Sequence, residues 1–178
     1  MNVFISGGCK NGKSYYAQRN AAEQAAESGR PLYYIATMIP HDEEDRARIR
    51  RHIAERDGWG FTTLECGKNI TSLLHDENVD NSGVFLLDSV TALLGNEMFD
   101  DEGRLDENAA ERVISDLQKF AAATGKTVFV SDYIYSDAEE FSDTVEMYRK
   151  GLAAADRALA EVCGRVIEIS AGLEEIWK

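Results

Sequence analysis

Short apolar runs rich in β-branched and aromatic residues alternate along this chain with longer stretches of helical period. The runs "NVFIS" (2–6), "LYYIAT" (32–37), "GVFLLD" (83–88), "KTVFVSD" (126–132) and "RVIEIS" (165–170) are nearly continuous in apolar character, which predicts strands covered on both faces. Between them the spacing predicts helices over 13–28, 42–57, 69–76, 106–124 and 142–163. Strand, helix and strand repeated in this way require crossover connections, so the expected fold class is α/β, a mainly parallel sheet with helices on both faces. Gly29, Gly125 and Gly164 stand where a left-handed residue would end a helix, and Asp106 and Ser142 stand where a side chain would accept from a free first-turn amide. No Gly/Ser-rich or repetitive stretch supplies a linker, so one domain over 1–178 is expected. The least regular pieces, 95–104 and 132–141, follow strand ends, where open α/β sheets bind their ligands.

Composition narrows the partners. With 19 basic and 32 acidic residues the net charge is -13, which opposes sequence-independent attraction to nucleic acid or to an anionic membrane surface. Cys9, Cys66 and Cys163 lack the paired short spacing of a structural metal site or a redox motif, and suggest a reducing compartment. The opening "MNVFIS" is too poor in apolar residues for a signal core, and no run is long enough to span a bilayer. A cytoplasmic setting is the expectation.

Candidate chemistry begins at "GGCKNGKS". Gly7, Gly12, Lys13 and Ser14 satisfy G-x-x-x-x-G-K-[ST], with a strand before and a helix after. The glycines let successive amides turn inward around a phosphate at a helix N-terminus, Lys13 would neutralise β and γ oxygens, and the Ser14 hydroxyl would bind Mg²⁺. The fold is thus expected to be of the P-loop NTPase type, RecA-like, with a nucleoside triphosphate held by Gly7, Gly8, Cys9, Lys10, Asn11, Gly12, Lys13 and Ser14. An acidic residue should end a neighbouring strand to reach the metal, and Asp88 closes "VFLLD" in that position. Asp88 could instead cap the helix that follows, "SVTALLGN", and Asp132 at the end of the next strand is a second candidate.

In "HDEEDRARIRRHIAERDGWGFTTLE" (41–65), Arg48, His52 and Arg56 recur every four residues and share a helix face, with Ile49 and Ile53 beside them. One reading is a solvated helix with pairs such as Glu44 with Arg48 or Arg51 with Glu55. The other needs a phosphate source nearby: a neutral imidazole between guanidinium groups can attack an α-phosphorus to form a phosphoramidate.

The stretches "GGCKNGKS", "YYIATM", "DEEDRARIRRHIAER", "FTTLE" and "LLDSVTALL", in this order and at about these distances, resemble the bifunctional adenosylcobinamide kinase / adenosylcobinamide-phosphate guanylyltransferase family of cobalamin assembly. The resemblance covers about the first 95 residues and returns in the last thirty. It implies phosphorylation of the aminopropanol hydroxyl of adenosylcobinamide from ATP or GTP, then transfer of GMP through a histidine to give adenosylcobinamide-GDP. The histidine's R-I-x-x-H segment matches Arg48 to His52, which makes His52 the nucleophile. The resemblance also sets Thr37, Met38 and Ile39 against the nucleotide, lines the guanine nucleotide with Ile53, Ala54, Glu55 and Arg56, gives Glu65 a nucleotide contact and assigns Asp88 the acidic metal position. A corrinoid substrate and a homotrimer are further implications. Without the family, Thr37 reads as the end of a strand and Glu65 as a solvated strand terminus.

The chain departs from the family in three places. "DYIYSDAEEFSDT" replaces an Asn-Glu-Val-Gly stretch and its loop, "AAADRALAEV" stands near the family's Asn-Gln pair, and "WGFTTLE" carries one extra residue. Two other functions stay open on the residues alone: a P-loop protein that binds a triphosphate as a regulatory module, and a small-molecule kinase without nucleotidyl transfer.

Overall fold

In the computed structural model, which describes residues 1–100, 102–135 and 139–178, the chain runs β1 (Val3–Gly7), α1 (Lys13–Ser28), β2 (Leu32–Ala36), α2 (Glu43–Glu55) and β3 (Thr62–Glu65). A 3-10 helix (Ile70–His75), β4 (Val84–Asp88), α3 (Val90–Met98), α4 (Ala109–Thr124) and β5 (Thr127–Asp132) follow. The last elements are α5 (Asp143–Val162), β6 (Arg165–Ser170) and β7 (Leu173–Ile176). The strands form one sheet in the order β3-β2-β4-β5-β1-β6-β7, parallel except for β7, which returns antiparallel on β6. Within the irregular stretches, position 101 and positions 136–138 lie outside the described residues.

The apolar runs of β1, β2, β4 and β5 sit in the middle of the sheet with both faces covered. Strand β6, expected to be covered likewise, buries only Ile167 and Ile169, on one face, because only the short exposed strand β7 lies beyond it. On one face Phe4, Tyr33, Ile35, Phe85, Leu87 and Phe129 pack against α3, α4 and α5. On the other, Ile5, Tyr34, Leu86, Val130 and Ile167 meet Ala17, Ala21 and Ala25 of α1. The small alanines allow α1 to lie close to the strands. Phe85 joins the first layer, stacked on Tyr33 at 5.0 Å and edge-on to Phe120 at 5.3 Å.

Differences from the sequence expectation fall at the periphery. Strands β3 and β7 were not expected from the apolar pattern, and β7 is exposed throughout; both are short edge strands without a fully buried face. The expected helix at 69–76 is a 3-10 turn entered through left-handed Asn69. Helix α4 begins at Ala109 with Asn108 in the capping position, because the Asp106 carboxylate accepts from the Asn108 amide (2.9 Å) and from Arg112 (2.8 Å) in the turn before it. Gly29 and Gly125 are left-handed, φ 62° and 66°, and Ser142 accepts from Val145 N. Gly164 is not: the capping residue is the extended Cys163, and a side chain at Gly164 would come within 3.2 Å of Met1 Sδ. Met1 would have to shift by a few tenths of an ångström to admit a side chain there.

One buried polar group lies beneath the site edge. Asp156 of α5 is 4% exposed and accepts from the Tyr135 hydroxyl at 2.8 Å. Burial pushes its carboxyl up to about 6, against the opposing pull of the Ser131 and Tyr135 hydroxyls and with added repulsion from Asp132. The folded chain therefore keeps a proton that the unfolded chain, with an ordinary value of 3.8, has already released. Across that interval stability falls as pH rises, and the cost is complete above the folded value.

Two outcomes follow for stability. Phe85→Ala removes a ring between two others and should cost about 3–5 kcal/mol, read from urea unfolding with an unchanged slope. Asp156→Asn keeps an acceptor for Tyr135 without the charge. Its stability relative to wild type should rise by on the order of 2 kcal/mol from pH 4 to pH 7, and a pH-independent difference between the two would sink this account of Asp156.

Candidate active site

Parallel strands end on the same side of a sheet, so Gly7, Ala36, Glu65, Asp88 and Asp132 share one edge. From β1 the chain loops through Gly8, Cys9, Lys10, Asn11 and Gly12 into α1. Gly7 is required by crowding: a side chain would place its first carbon 2.4 Å from the Ile169 carbonyl oxygen. Gly12 caps α1 with φ 87°, and Lys10 is also left-handed at φ 59°. No side chain caps α1 and its first turn carries no acidic residue, so the positive end of the helix faces the loop without a built-in competitor for an anion. Lys13 is 5% exposed; its ammonium donates to the Gly8 carbonyl at 2.6 Å and to Asp132 Oδ1 at 2.7 Å. Ser14 is half-buried beside it.

Two carboxylates face this loop from neighbouring strands. Asp88 is level with Val130 on β5, so by the two-residue period Asp88 and Asp132 project to the same face, the one covered by α1. Asp88 Oδ2 accepts from the Tyr34 hydroxyl at 2.9 Å, and burial together with the Asp88 charge pushes that phenol well above its ordinary value. Asp88 does not cap α3: Ser89 does, accepting from Ala92 N at 3.2 Å. Asp132 is fixed at its backbone, where its amide donates to Thr91 Oγ1 at 2.9 Å and the next amide, of Tyr133, donates to the Gly7 carbonyl at 3.3 Å.

Helix α2 has no buried residue. Asp42 caps it and three acidic residues occupy its first turn, which favours the positive end. The pairs that form link Glu43 to Arg46 (4.0 Å) and Arg50 (2.7 Å) and bring His52 Nδ1 to 3.4 Å from Glu55 Oε2, in place of the expected Glu44–Arg48 and Arg51–Glu55. His52 Nδ1 itself is buried without hydrogen-bond geometry. The expected common face of Arg48, His52 and Arg56 breaks at the helix end. Arg48 is exposed, whereas Arg56 turns inward, 7% exposed, with its guanidinium 4.1 Å above the Tyr34 ring and 3.1 Å from Thr63 Oγ1. Contacts therefore run from Arg56 through Tyr34 to Asp88. Trp59 adds a second tie, edge-on to Tyr15 of α1 at 5.7 Å.

The remaining expected residues divide into supports and exposed groups. Thr37 is fully buried; its hydroxyl donates to the Ser89 carbonyl and accepts from the Ser89 amide (2.9 and 2.7 Å), and its own carbonyl accepts from Asn96 at 2.7 Å. Asn96 also donates to Gly67 O at 2.9 Å, tying the ends of β2 and β3 to α3. Met38 is half-buried, while Ile39, Ile53, Ala54, Glu55 and Glu65 are exposed. Sequence reasoning missed Tyr34, Ser89, Thr91 and Asn96. Tyr34 reads as one more aromatic in a buried strand, although its two-residue parity with Ala36 and its polar tip were visible; Asn96 fell in a stretch taken as irregular that is in fact the end of α3.

Comparison with known proteins bears on the fold and on the family. The chain is similar over 94% of its length to a KaiC-like protein from Pyrococcus horikoshii (TM-score 0.52, 16% identity, 69% of that chain) and to the ATPase domain of G40P (TM-score 0.51, 12% identity, 94% of this chain and 68% of that one). These likenesses concern the P-loop, RecA-like fold alone. In sequence it is 32% identical over 174 residues, 97% of this chain and 95% of the other, to the bifunctional adenosylcobalamin biosynthesis protein CobP of Pseudomonas aeruginosa. Residues 3–175 match the model of CobU, cobinamide kinase / cobinamide phosphate guanyltransferase, and with that match the chain belongs to this family.

Proposed function

We propose that this chain, as one domain, phosphorylates the terminal hydroxyl of adenosylcobinamide from ATP or GTP and then carries GMP from GTP, on His52, to the phosphorylated corrinoid, yielding adenosylcobinamide-GDP. The observation that carries the reading is the fastening of the histidine-bearing helix to the P-loop edge through Arg56, Tyr34 and Asp88. With no fully buried residue of its own, the helix is held there mainly by these contacts at its C-terminal end.

In this reading the amides of residues 8 to 14 and the Lys13 ammonium hold the triphosphate. The attacking group would be the Nε2 lone pair of the neutral imidazole, which bonds to the α-phosphorus as pyrophosphate leaves; Glu55, 3.4 Å from Nδ1, would need only a small side-chain adjustment to accept the Nδ1 proton. Thr37, Met38, Ile39 and Glu65 border the nucleotide from the β2 and β3 ends, Thr37 through its hold on Ser89 and the strand end. Ile53, Ala54 and Glu55 lie beside the histidine with their side chains open to a ligand. Ser14 and Asp88 fit Mg²⁺. They offer a hydroxyl and a carboxylate beside an anion site, and among the described residues no three His, Cys, Asp or Glu groups gather into a protein cage, which suits a cation shared with substrate phosphates. Bound there, Mg²⁺ would neutralise developing phosphate charge.

A cytoplasmic setting accords with an enzyme that consumes GTP. A homotrimer is the assembly we propose, supported by the unburied α2 and by Leu173, Ile176 and Trp177, which are 75%, 54% and 65% exposed at the β7 edge.

The decisive experiment incubates the protein with Mg²⁺ and GTP labelled at the α-phosphate. Acid-labile, base-stable label should appear on the wild type and be absent from His52→Ala. An unlabelled wild type that nevertheless binds GTP would overturn nucleotidyl transfer and leave a kinase or a binding module.

A further inference from the structure

The Lys13–Asp132 contact holds more than the functional reading uses. Of the two groups, the lysine side chain is 6% exposed and the aspartate 31%, so the carboxylate is the member with an open side. A P-loop lysine lies against β and γ oxygens of a bound triphosphate. A carboxylate 2.7 Å from its ammonium therefore borders the phosphoryl group that would be transferred. Asp88 differs: one of its oxygens already accepts from Tyr34, which leaves it suited to the metal side.

Asp132 is also held in place. Its register opposite Gly7, its amide bond to Thr91 and the following amide bond to Gly7 O fix the backbone on both sides of it, which limits motion of the carboxylate to its own side-chain torsions. An anion set beside a triphosphate is repelled unless a cation lies between them or a hydroxyl donates to it. Lys13 supplies the first. The open side of the carboxylate is available for the second.

We propose that Asp132 receives the acceptor hydroxyl in the phosphoryl-transfer step and takes its proton, an assignment that rests on the kinase half of the reading above. The acceptor oxygen bonds to the γ-phosphorus, the bond from that phosphorus to the β–γ bridging oxygen breaks, and its electron pair leaves with the nucleoside diphosphate. The acceptor proton passes to Asp132 and then to water from the exposed side. Lys13 stays on the phosphate oxygens and holds the carboxylate at a fixed separation from them.

The test is Asp132→Asn, close to isosteric, assayed three ways: nucleotide affinity with a fluorescent ATP analogue, transfer of γ-label from ATP to adenosylcobinamide, and α-label from GTP retained on the protein. The expected result is a fall in kcat for γ-transfer of about 10²–10³-fold, with KM for ATP within about threefold and the protein still labelled from GTP, which also reports a folded site. A kcat within about fivefold of wild type overturns the assignment. So does an affinity loss that accounts for the whole drop in rate, since Asp132 would then only position Lys13. A wild type that binds ATP yet transfers no γ-label to the corrinoid instead removes the kinase reading, and the assignment with it.

Discussion

Parallel pairing of β1 between β5 and β6 sets Gly7 level with Asp132 on one side and Ile169 on the other, and the site depends on that register. The Ile169 carbonyl excludes any side chain at Gly7, which lets the chain turn at once into the loop. The same register brings Asp132 to the ammonium of Lys13. Slipping the pairing by one residue would turn Asp132 to the opposite face and leave a nearly buried lysine without its counter-ion.

The second half of the site hangs on one arginine. Helix α2 has no fully buried residue, so its place is set mainly where the chain leaves it: Arg56 over Tyr34 and Trp59 against Tyr15. The guanidinium can stack on the ring and donate to Thr63 together, a combination a lysine ammonium does not reproduce. An element held mainly at one end is freer to adjust at the other, which suits the transfer role proposed for His52.

Two of the three departures from the family pattern meet in one place. The stretch 132–141 leaves β5 at Asp132, and Asp156 of α5, within the segment near the family's Asn-Gln pair, holds Tyr135 from the same stretch. Arg149 braces it as well, donating to Ile134 O at 3.2 Å and lying 4.6 Å from the Phe141 ring. Acidic and aromatic side chains here occupy the region beside the loop lysine. The nucleotide-facing edge follows the family pattern more closely.

How much was legible in the sequence can be judged residue by residue. Strands β1, β2, β4 and β5 were readable because burial on both faces demands unbroken apolar runs, β6 because its alternate residues Ile167 and Ile169 are apolar and buried, and the P-loop because its glycines answer backbone requirements that no other residue meets well. Edge strands β3 and β7 were not, since an edge needs no buried face and leaves little pattern. The Arg48–His52–Arg56 spacing located a charged helix face, but helical period assumes the helix continues, and Arg56 lies where it stops. What only the tertiary structure decided was pairing between distant segments: Asp132 with Lys13, Tyr34 with Asp88, Thr37 with Ser89. Local sequence determines which groups a segment presents and at what period, whereas the partner each group meets depends on strand order and register, which are fixed only when the whole sheet closes its core.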